Sequence, residues 1–321
     1  MNALPTRIDS SLAWTAAELR SDRNWIYETT LLERRELSRI LDALRLKQVP
    51  EEDIACLNGV SSAFGVMVEK VQQQLFVDRG IILIRGLCQE GIDLSGLRRI
   101  CLALGRCIGD VAAQNSDGDL IRCVTDLGHK GFSDDNRARG HRGRARMFPH
   151  SDSADIVGLL SVRDAKSGGA NIFCSSAAIY NDIASTRPEY LEVLTRGFHF
   201  DLSGKSETNQ DYSDARVSVF SVQHGSFSCS FNKSRIELGM KKAGVEISDL
   251  ERVAINHLQE LALSEVLALQ MYLRPGDVIL LNNHYTLHAR EGYEDWTEPL
   301  RKRLLLRFWI NSPNGRHIEH S

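Results

Sequence analysis

Three side chains set the problem that this chain has to solve. His150 and Asp152 stand two residues apart in Met147-Phe-Pro-His-Ser-Asp-Ser-Ala-Asp155, and His288 follows 136 residues beyond Asp152, in Leu281-Asn-Asn-His-Tyr-Thr-Leu-His-Ala-Arg290. On an extended segment, residues i and i+2 project to one face about 6.6 Å apart along the strand, so His150 and Asp152 can share one metal ion. A third ligand taken from so remote a segment obliges the intervening chain to fold back and close a pocket. Two imidazoles and one carboxylate, with coordination positions left open, are the facial ligand set of non-heme Fe(II).

The surroundings of these residues predict short strands. From position 147 onward, Val157-Gly-Leu-Leu-Ser-Val, Asn171-Ile-Phe-Cys, 196–201, 217–222, 226–231, Val278-Ile-Leu-Leu and the segment holding His288 read as strands separated by turns such as Lys166-Ser-Gly-Gly169 and Arg274-Pro-Gly-Asp277. The first hundred residues read mainly as helix. Thr15-Ala-Ala-Glu18 has the spacing of a capping box. Residues 31–46 and about 61–77 carry apolar residues at helical spacing, and Ser95 is placed to cap a third helix that ends at Gly105. Between the last two, Gly80-Ile-Ile-Leu-Ile-Arg-Gly86 is a buried strand. Ser175-Ser176 caps a helix over about 177–185, and Ser248-Asp-Leu-Glu251 opens another whose Leu250, Val253, Leu258 and Leu261 can face the core. The predicted fold is mainly β with flanking helices: a double-stranded β-helix, or jelly roll, behind a helical N-terminal region. No linker or internal repeat divides the chain. We expect one domain over 1–321, with 1–79 mainly helical and 80–316 forming the jelly-roll core with inserted helices.

The last predicted strand carries a second chemical signal. Positions 304, 306, 308 and 310 are Leu, Leu, Phe and Ile, whereas 303, 305, 307 and 309 are Arg, Leu, Arg and Trp. In a two-layer roll both faces are covered, so the two guanidinium groups need anionic partners. A dicarboxylate bound beside a metal would meet that need, because arginine holds a carboxylate through two parallel hydrogen bonds. An edge strand with both arginines in water is the alternative. His284 also shares strand parity with His288 and competes with it for the metal; the bland reading makes it a turn residue bonded to nearby backbone.

In order and spacing, His150-Ser-Asp152, Lys166-Ser-Gly-Gly-Ala-Asn-Ile, Pro275-Gly-Asp-Val-Ile-Leu-Leu-Asn-Asn-His, Leu287-His-Ala-Arg290 and Arg301-Lys-Arg-Leu-Leu-Leu-Arg-Phe-Trp309 resemble the Fe(II)/2-oxoglutarate-dependent dioxygenases related to taurine dioxygenase and clavaminate synthase. The resemblance covers about 80–316. It implies that His150, Asp152 and His288 bind Fe(II), and that 2-oxoglutarate and O2 are the cosubstrates. Arg307 would then clamp the distal carboxylate of 2-oxoglutarate, Arg303 would stand near the metal-bound end, and Asn171 would replace the threonine or serine that relatives place against the cosubstrate. It further implies hydroxylation or desaturation of an unactivated C–H bond, with release of succinate and CO2.

Substrate recognition is less marked. Gln114, Asn115, Arg146 and Asp155 are the candidate pocket residues, and their mixture of acid, amide and guanidinium would suit a zwitterion such as an amino acid or its derivative. The polar segment 129–146 reads as a surface loop or as a lid, and its five arginines between 137 and 146 could attract an anion. They are not interleaved with aromatic residues, and a formal charge of −3 gives no general reason to expect nucleic-acid binding. No signal-peptide core or bilayer-length apolar run is evident, and seven scattered cysteines lack any C-x-x-C pair. A cytoplasmic enzyme acting on a small molecule is the expected reading; a non-catalytic jelly-roll binding protein and a hydroxylase of macromolecules are its competitors.

Overall fold

The computed structural model describes residues 5–8, 11–88, 91–115, 117–128, 143–202, 211–223 and 226–312. Along the chain the strands are β1 (Ile26–Glu28), β2 (Ile81–Arg85), β3 (Asp110–Ala112), β4 (Ile121–Val124), β5 (Met147–His150), β6 (Ile156–Arg163), β7 (Ser167–Gly168) and β8 (Asn171–Ser175). They continue as β9 (Phe220–Gln223), β10 (Ser226–Cys229), β11 (Ala268–Met271), β12 (Val278–Asn282), β13 (Thr286–Arg290), β14 (Tyr293–Glu294) and β15 (Leu304–Asn311). The larger sheet runs β1-β2-β12-β6-β15, with β3 and β4 both paired to β15, and the smaller runs β11-β8-β13-β5. The two face each other as a double-stranded β-helix.

Strand alternation sorts the side chains into three apolar clusters. Val157, Leu159, Phe173, Leu269, Ile279, Leu281, Leu305 and Trp309 fill the space between the sheets. Leu160, Leu280, Leu306, Phe308 and Ile310, on the opposite face of the larger sheet, pack against Leu37, Ile40, Met67, Val71, Ile100 and Leu104 of the N-terminal helices. The outer face of the smaller sheet, through Ile172, Cys174, Leu287 and Ala289, meets the helices Ser176–Thr186, Pro188–Arg196 and Asp249–Leu261. The predicted two-faced character of the last strand is thus realised.

Local signals account for most helix starts. Thr15, Thr30 and Ser248 each complete a capping box, with Glu18, Glu33 and Glu251. The helix at 31–46 is formed as expected, whereas Asp93 rather than Ser95 caps Leu94–Gly105, through its Oδ1 and the Gly96 N–H. In Asp249–Leu261 the buried residues are Glu251, Ala254, Ile255 and Leu258, so Leu250 and Val253 face outward, contrary to expectation. The segment 196–201 forms only isolated bridges, through Phe198 and Asp201, and follows a helix, Pro188–Arg196, that the strand reading omits.

Gly158 of β6 lies opposite Phe308 of β15, and a Cβ at Gly158 would come closer to the Phe308 ring than any real contact allows. The glycine leaves room for that ring in the cluster beneath the helices. Gly158→Ala is expected to destabilise the fold by about 1–3 kcal/mol through overpacking. A lowered urea midpoint at unchanged m-value, largely recovered in the Gly158→Ala/Phe308→Leu double variant, is the measurement that checks it.

Candidate active site

His150 and His288 stand directly opposite each other on the antiparallel pair β5–β13. Their ring centroids are 4.3 Å apart. Phe148 O lies 2.8 Å from His150 Nδ1, which fixes that nitrogen as the donor and leaves Nε2 to face inward. Asp152 follows two residues past the end of β5, and its Oδ2 is 3.9 Å from His288 Nε2. That spacing is too long for a hydrogen bond, but two atoms bound to a common ion at about 2.0–2.2 Å can be this far apart. One ligand atom from each of the three residues lies within 4.8 Å of the other two. The donor set, buried and convergent, fits a divalent transition metal with open positions.

The electrostatics suit that role. Burial works to raise the Asp152 carboxyl, but Arg307, His288, His150 and the Trp309 N–H together outweigh it and hold the group well below the usual carboxylate range. Trp309 Nε1 donates to Asp152 Oδ2 at 2.9 Å, and Arg307 Nη1 stands 3.3 Å from the same oxygen. Burial, followed by the neighbouring His150, pushes His288 down to about 3, against the opposing pull of Asp152. A neutral imidazole beside an ionised carboxylate is the protonation state that metal binding requires.

The two arginines take different places in the site. Arg307, not Arg303, stands beside the metal ligands. Arg303 lies four residues earlier on the same face, at the floor of a cavity of about 320 Å³ whose lining includes Asn171, Ser161, Leu305 and Lys166. Arg303 Nη1 is buried with no hydrogen-bond partner. Burial and then the nearby Arg290 lower its pKa to about 10. Gly169, at φ 78°, brings the start of β8 against this arginine: a Cβ there would lie 3.4 Å from Arg303 Nε and 3.2 Å from Tyr293 Cβ.

The candidate substrate residues are placed differently. Gln114 stands behind Arg307, accepting from its Nε at 2.8 Å and donating to its carbonyl at 2.8 Å. Asn115 holds a local turn with Asp117 and Asp119. Asp155 bonds His284 Nε2 at 2.8 Å and accepts from Ser312 N at 2.9 Å. These three are therefore committed to the fold. Arg146 is exposed, its guanidinium 5.7 Å from the centre of the Phe148 ring, and Arg144 pairs with Asp126 at 3.3 Å. The rest of the expected lid, 129–142, lies outside the described residues. His284 has both nitrogens engaged by protein groups, Asp155 and Ser228, which removes it as a rival metal ligand. Sequence reasoning missed Trp309 as a donor to Asp152, although strand parity with Arg307 points to it.

Comparison with known proteins decides the family. The family described as "Taurine catabolism dioxygenase TauD, TfdA family" matches residues 67–309. The chain belongs to that family. It is accordingly a non-heme iron dioxygenase that uses 2-oxoglutarate, with His150, Asp152 and His288 as its iron-binding triad. Among curated relatives, FR-33289 synthase of Streptomyces rubellomurinus is 28% identical over 311 residues, 96% of this chain and 91% of the relative. The taurine hydroxylase-like protein SAT17 of Stachybotrys chartarum is 24% identical over 315 residues, 95% of this chain and 80% of the relative. Asparagine oxygenase, solved with Fe(II), 3-hydroxyasparagine and succinate, superposes with a TM-score of 0.70 at 14% identity, covering 89% of this chain and 93% of that one. The non-heme iron oxygenase OrfP, solved with Fe and alpha-ketoglutaric acid, gives 0.65 at 15% identity, over 89% and 93%. These likenesses establish the double-stranded β-helix shared across the family. Among the described residues no helix is long and apolar enough to cross a membrane.

Gln114 positions Arg307 through two hydrogen bonds, so Gln114→Leu is expected to weaken 2-oxoglutarate binding about tenfold, the effect of roughly 1.4 kcal/mol. Calorimetric titration of the Zn(II)-loaded protein checks this; an unchanged Kd would make Gln114 a bystander.

Proposed function

We propose that this chain hydroxylates an unactivated C–H bond of a small molecule, consuming 2-oxoglutarate and O2 and releasing succinate and CO2. The single observation that carries the reading is the convergence of His150, Asp152 and His288 in one buried cluster beside the Arg307 guanidinium. The reaction balances: one oxygen atom of O2 enters the substrate as hydroxyl, and the other enters the new carboxylate of succinate. Bound Fe(II) supplies the activation of O2 and the hydrogen-abstracting power that side chains lack.

The chain's own residues do the positioning. Arg303 and Asn171, sharing one cavity, would hold the distal carboxylate of 2-oxoglutarate, and the unpartnered Arg303 Nη1 supports that assignment. Arg307 would serve the metal end, keeping Asp152 ionised and offering charge to the chelating end of the keto acid. Leu305, Leu159, Phe173 and Leu269 line the interior with apolar surface, which keeps bulk water from the reacting groups. For the substrate class we favour an amino acid or amino-acid derivative. Support comes from fold neighbours solved with hydroxylated asparagine and hydroxylated arginine, and not from Gln114, Asn115 or Asp155. A cytoplasmic address is supported by the seven cysteines, all of which are unpaired.

Two measurements test the function. The wild-type protein with Fe(II) is expected to form succinate in an O2-dependent manner that an amino-acid panel stimulates, and Asp152→Ala to abolish it; full activity in Asp152→Ala overturns the triad assignment, and no stimulation by any amino acid discards the substrate class. Arg303→Met is expected to weaken 2-oxoglutarate binding by the equivalent of about 2–5 kcal/mol, as for truncation of one partner in a buried charge pair. The same titration on the Zn(II)-loaded protein reads this without turnover.

A further inference from the structure

This inference rests on the assignment of His150, Asp152 and His288 as metal ligands and concerns what holds them in register. His150 and His288 are held by a strand ladder. Asp152 has no such support, because it lies past the end of β5, in the crossover 151–155 that leads from the smaller sheet to the larger. A second crossover, 283–285, leads from β12 in the larger sheet to β13 in the smaller. The two are joined to each other at the metal end of the roll.

The second crossover grips the first. Asn283 Oδ1 accepts from Asp152 N at 3.2 Å, its Nδ2 donates to Ala154 O at 2.7 Å, and its backbone N–H donates to Asp155 O at 2.8 Å. His284 Nε2 lies 2.8 Å from Asp155 Oδ1, and His284 Nδ1 lies 2.9 Å from Ser228 Oγ. A carboxylate accepts, so His284 Nε2 is the donor to Asp155, while Nδ1 shares a hydrogen bond with the Ser228 hydroxyl. The remaining Asp155 oxygen accepts from Ser312 N. The His284 main chain is also fixed, its N–H donating to Asn282 Oδ1 and its carbonyl accepting from Cys229 N.

Serine, histidine and aspartate follow one another as in a nucleophilic triad, but with the ring nitrogens exchanged, Ser228 on Nδ1 and Asp155 on Nε2. Ser228 is only 4% exposed and His284 7%, and the partners of both are protein groups, so the array is built into the fold. We propose that Asp155, His284 and Ser228 form a positioning relay that sets the reach of Asp152 toward the metal, with Asn283 as the link to the ligand's own backbone. Each member is satisfied only when the others are in place, and a buried polar group left unpaired carries its full desolvation cost. The relay therefore gives the 151–155 crossover one favoured conformation. None of its members is among the three metal ligands.

Anaerobic titration of the full-length protein with Fe(II), and with Co(II) followed by its visible absorption, tests the relay. Asp155→Ala and His284→Ala are expected to weaken metal binding about 10- to 100-fold, the usual range for outer partners of metal ligands. They are also expected to raise the ratio of 2-oxoglutarate consumed to substrate hydroxylated, with Asp155→Asn recovering part of both losses. Ser228→Ala, the mildest change, shifts both readouts in the same direction by a smaller factor and covers the case in which the others do not fold. Tyr180→Phe, which removes a 2.6 Å hydrogen bond to Pro5 O and no bond of the relay, is the control for plain destabilisation and leaves metal affinity unchanged. Folded Asp155→Ala or Ser228→Ala protein with wild-type metal affinity and coupling overturns the relay. A wild-type chain that binds neither ion overturns the metal assignment and the relay with it, so the two failures are told apart.

Discussion

An ionised carboxylate enclosed within the roll governs the rest of this structure. Burial alone would drive Asp152 toward its neutral form, and a neutral acid is a poor ligand for a divalent ion. Arg307, the Trp309 N–H and two imidazoles reverse that preference. They come from three strands in two sheets: Arg307 and Trp309 from β15, His288 from β13, His150 from β5. Arg307 in turn depends on Gln114, which lies between β3 and β4, both paired to β15. The sheet edges and the site are therefore one construction, and loosening the edge at Gln114 loosens the charge that keeps the ligand ionised.

This dependence explains what the sequence could and could not disclose. The alternation through 303–310 places both arginines on the inner face whatever the details of packing, because residue parity on a strand is insensitive to its neighbours. Which arginine stands nearer the metal is a question of register along the roll, set by the pairing of β15 with β6 and by the end of β5; no local pattern encodes it. Hence the triad is legible in the sequence, and which arginine lies beside Asp152 is not. Gln114 and Asp155 illustrate the same limit. Each is polar and close to the site in space, but its function depends on a remote partner, Arg307 in one case and His284 in the other.

Among the helices the distinction lies between starts and faces. A capping box is read within four residues, and those at Thr15 and Ser248 are formed. The buried stripe of Asp249–Leu261 runs through Ala254, Ile255 and Leu258, because the surface it meets includes Leu191, Leu194 and Ile183, which leave Leu250 and Val253 outside. Alanine at the contact allows close approach, while larger apolar residues one position away remain in water. Short helices such as Pro188–Arg196 lack the length for periodicity to declare itself, although proline at the first position is a start signal in its own right.

The two ends of the inner arginine face are treated differently. At the metal end the chain provides its own anion: Asp152 must be ionised before a cation can arrive, and Arg307 ensures that it is. At the other end Arg303 and Arg290 flank the Tyr293 ring, with guanidinium carbons 5.3 and 4.7 Å from its centre, and each leaves a buried Nη1 without a partner. Among the described residues no carboxylate forms an ion pair with Arg303. An acid paired with it would satisfy the arginine and stabilise the empty protein, but it would occupy the position proposed for the distal carboxylate of the cosubstrate and repel it. Asp164, which lines the same cavity, and Asp295 act on this guanidinium without pairing with it directly; leaving it without an ion pair raises the gain on binding an anion, since whatever binds only the folded state stabilises it. On the assignment proposed for Arg303, the same guanidinium would favour a keto diacid over a monocarboxylate as the ligand that completes the roll.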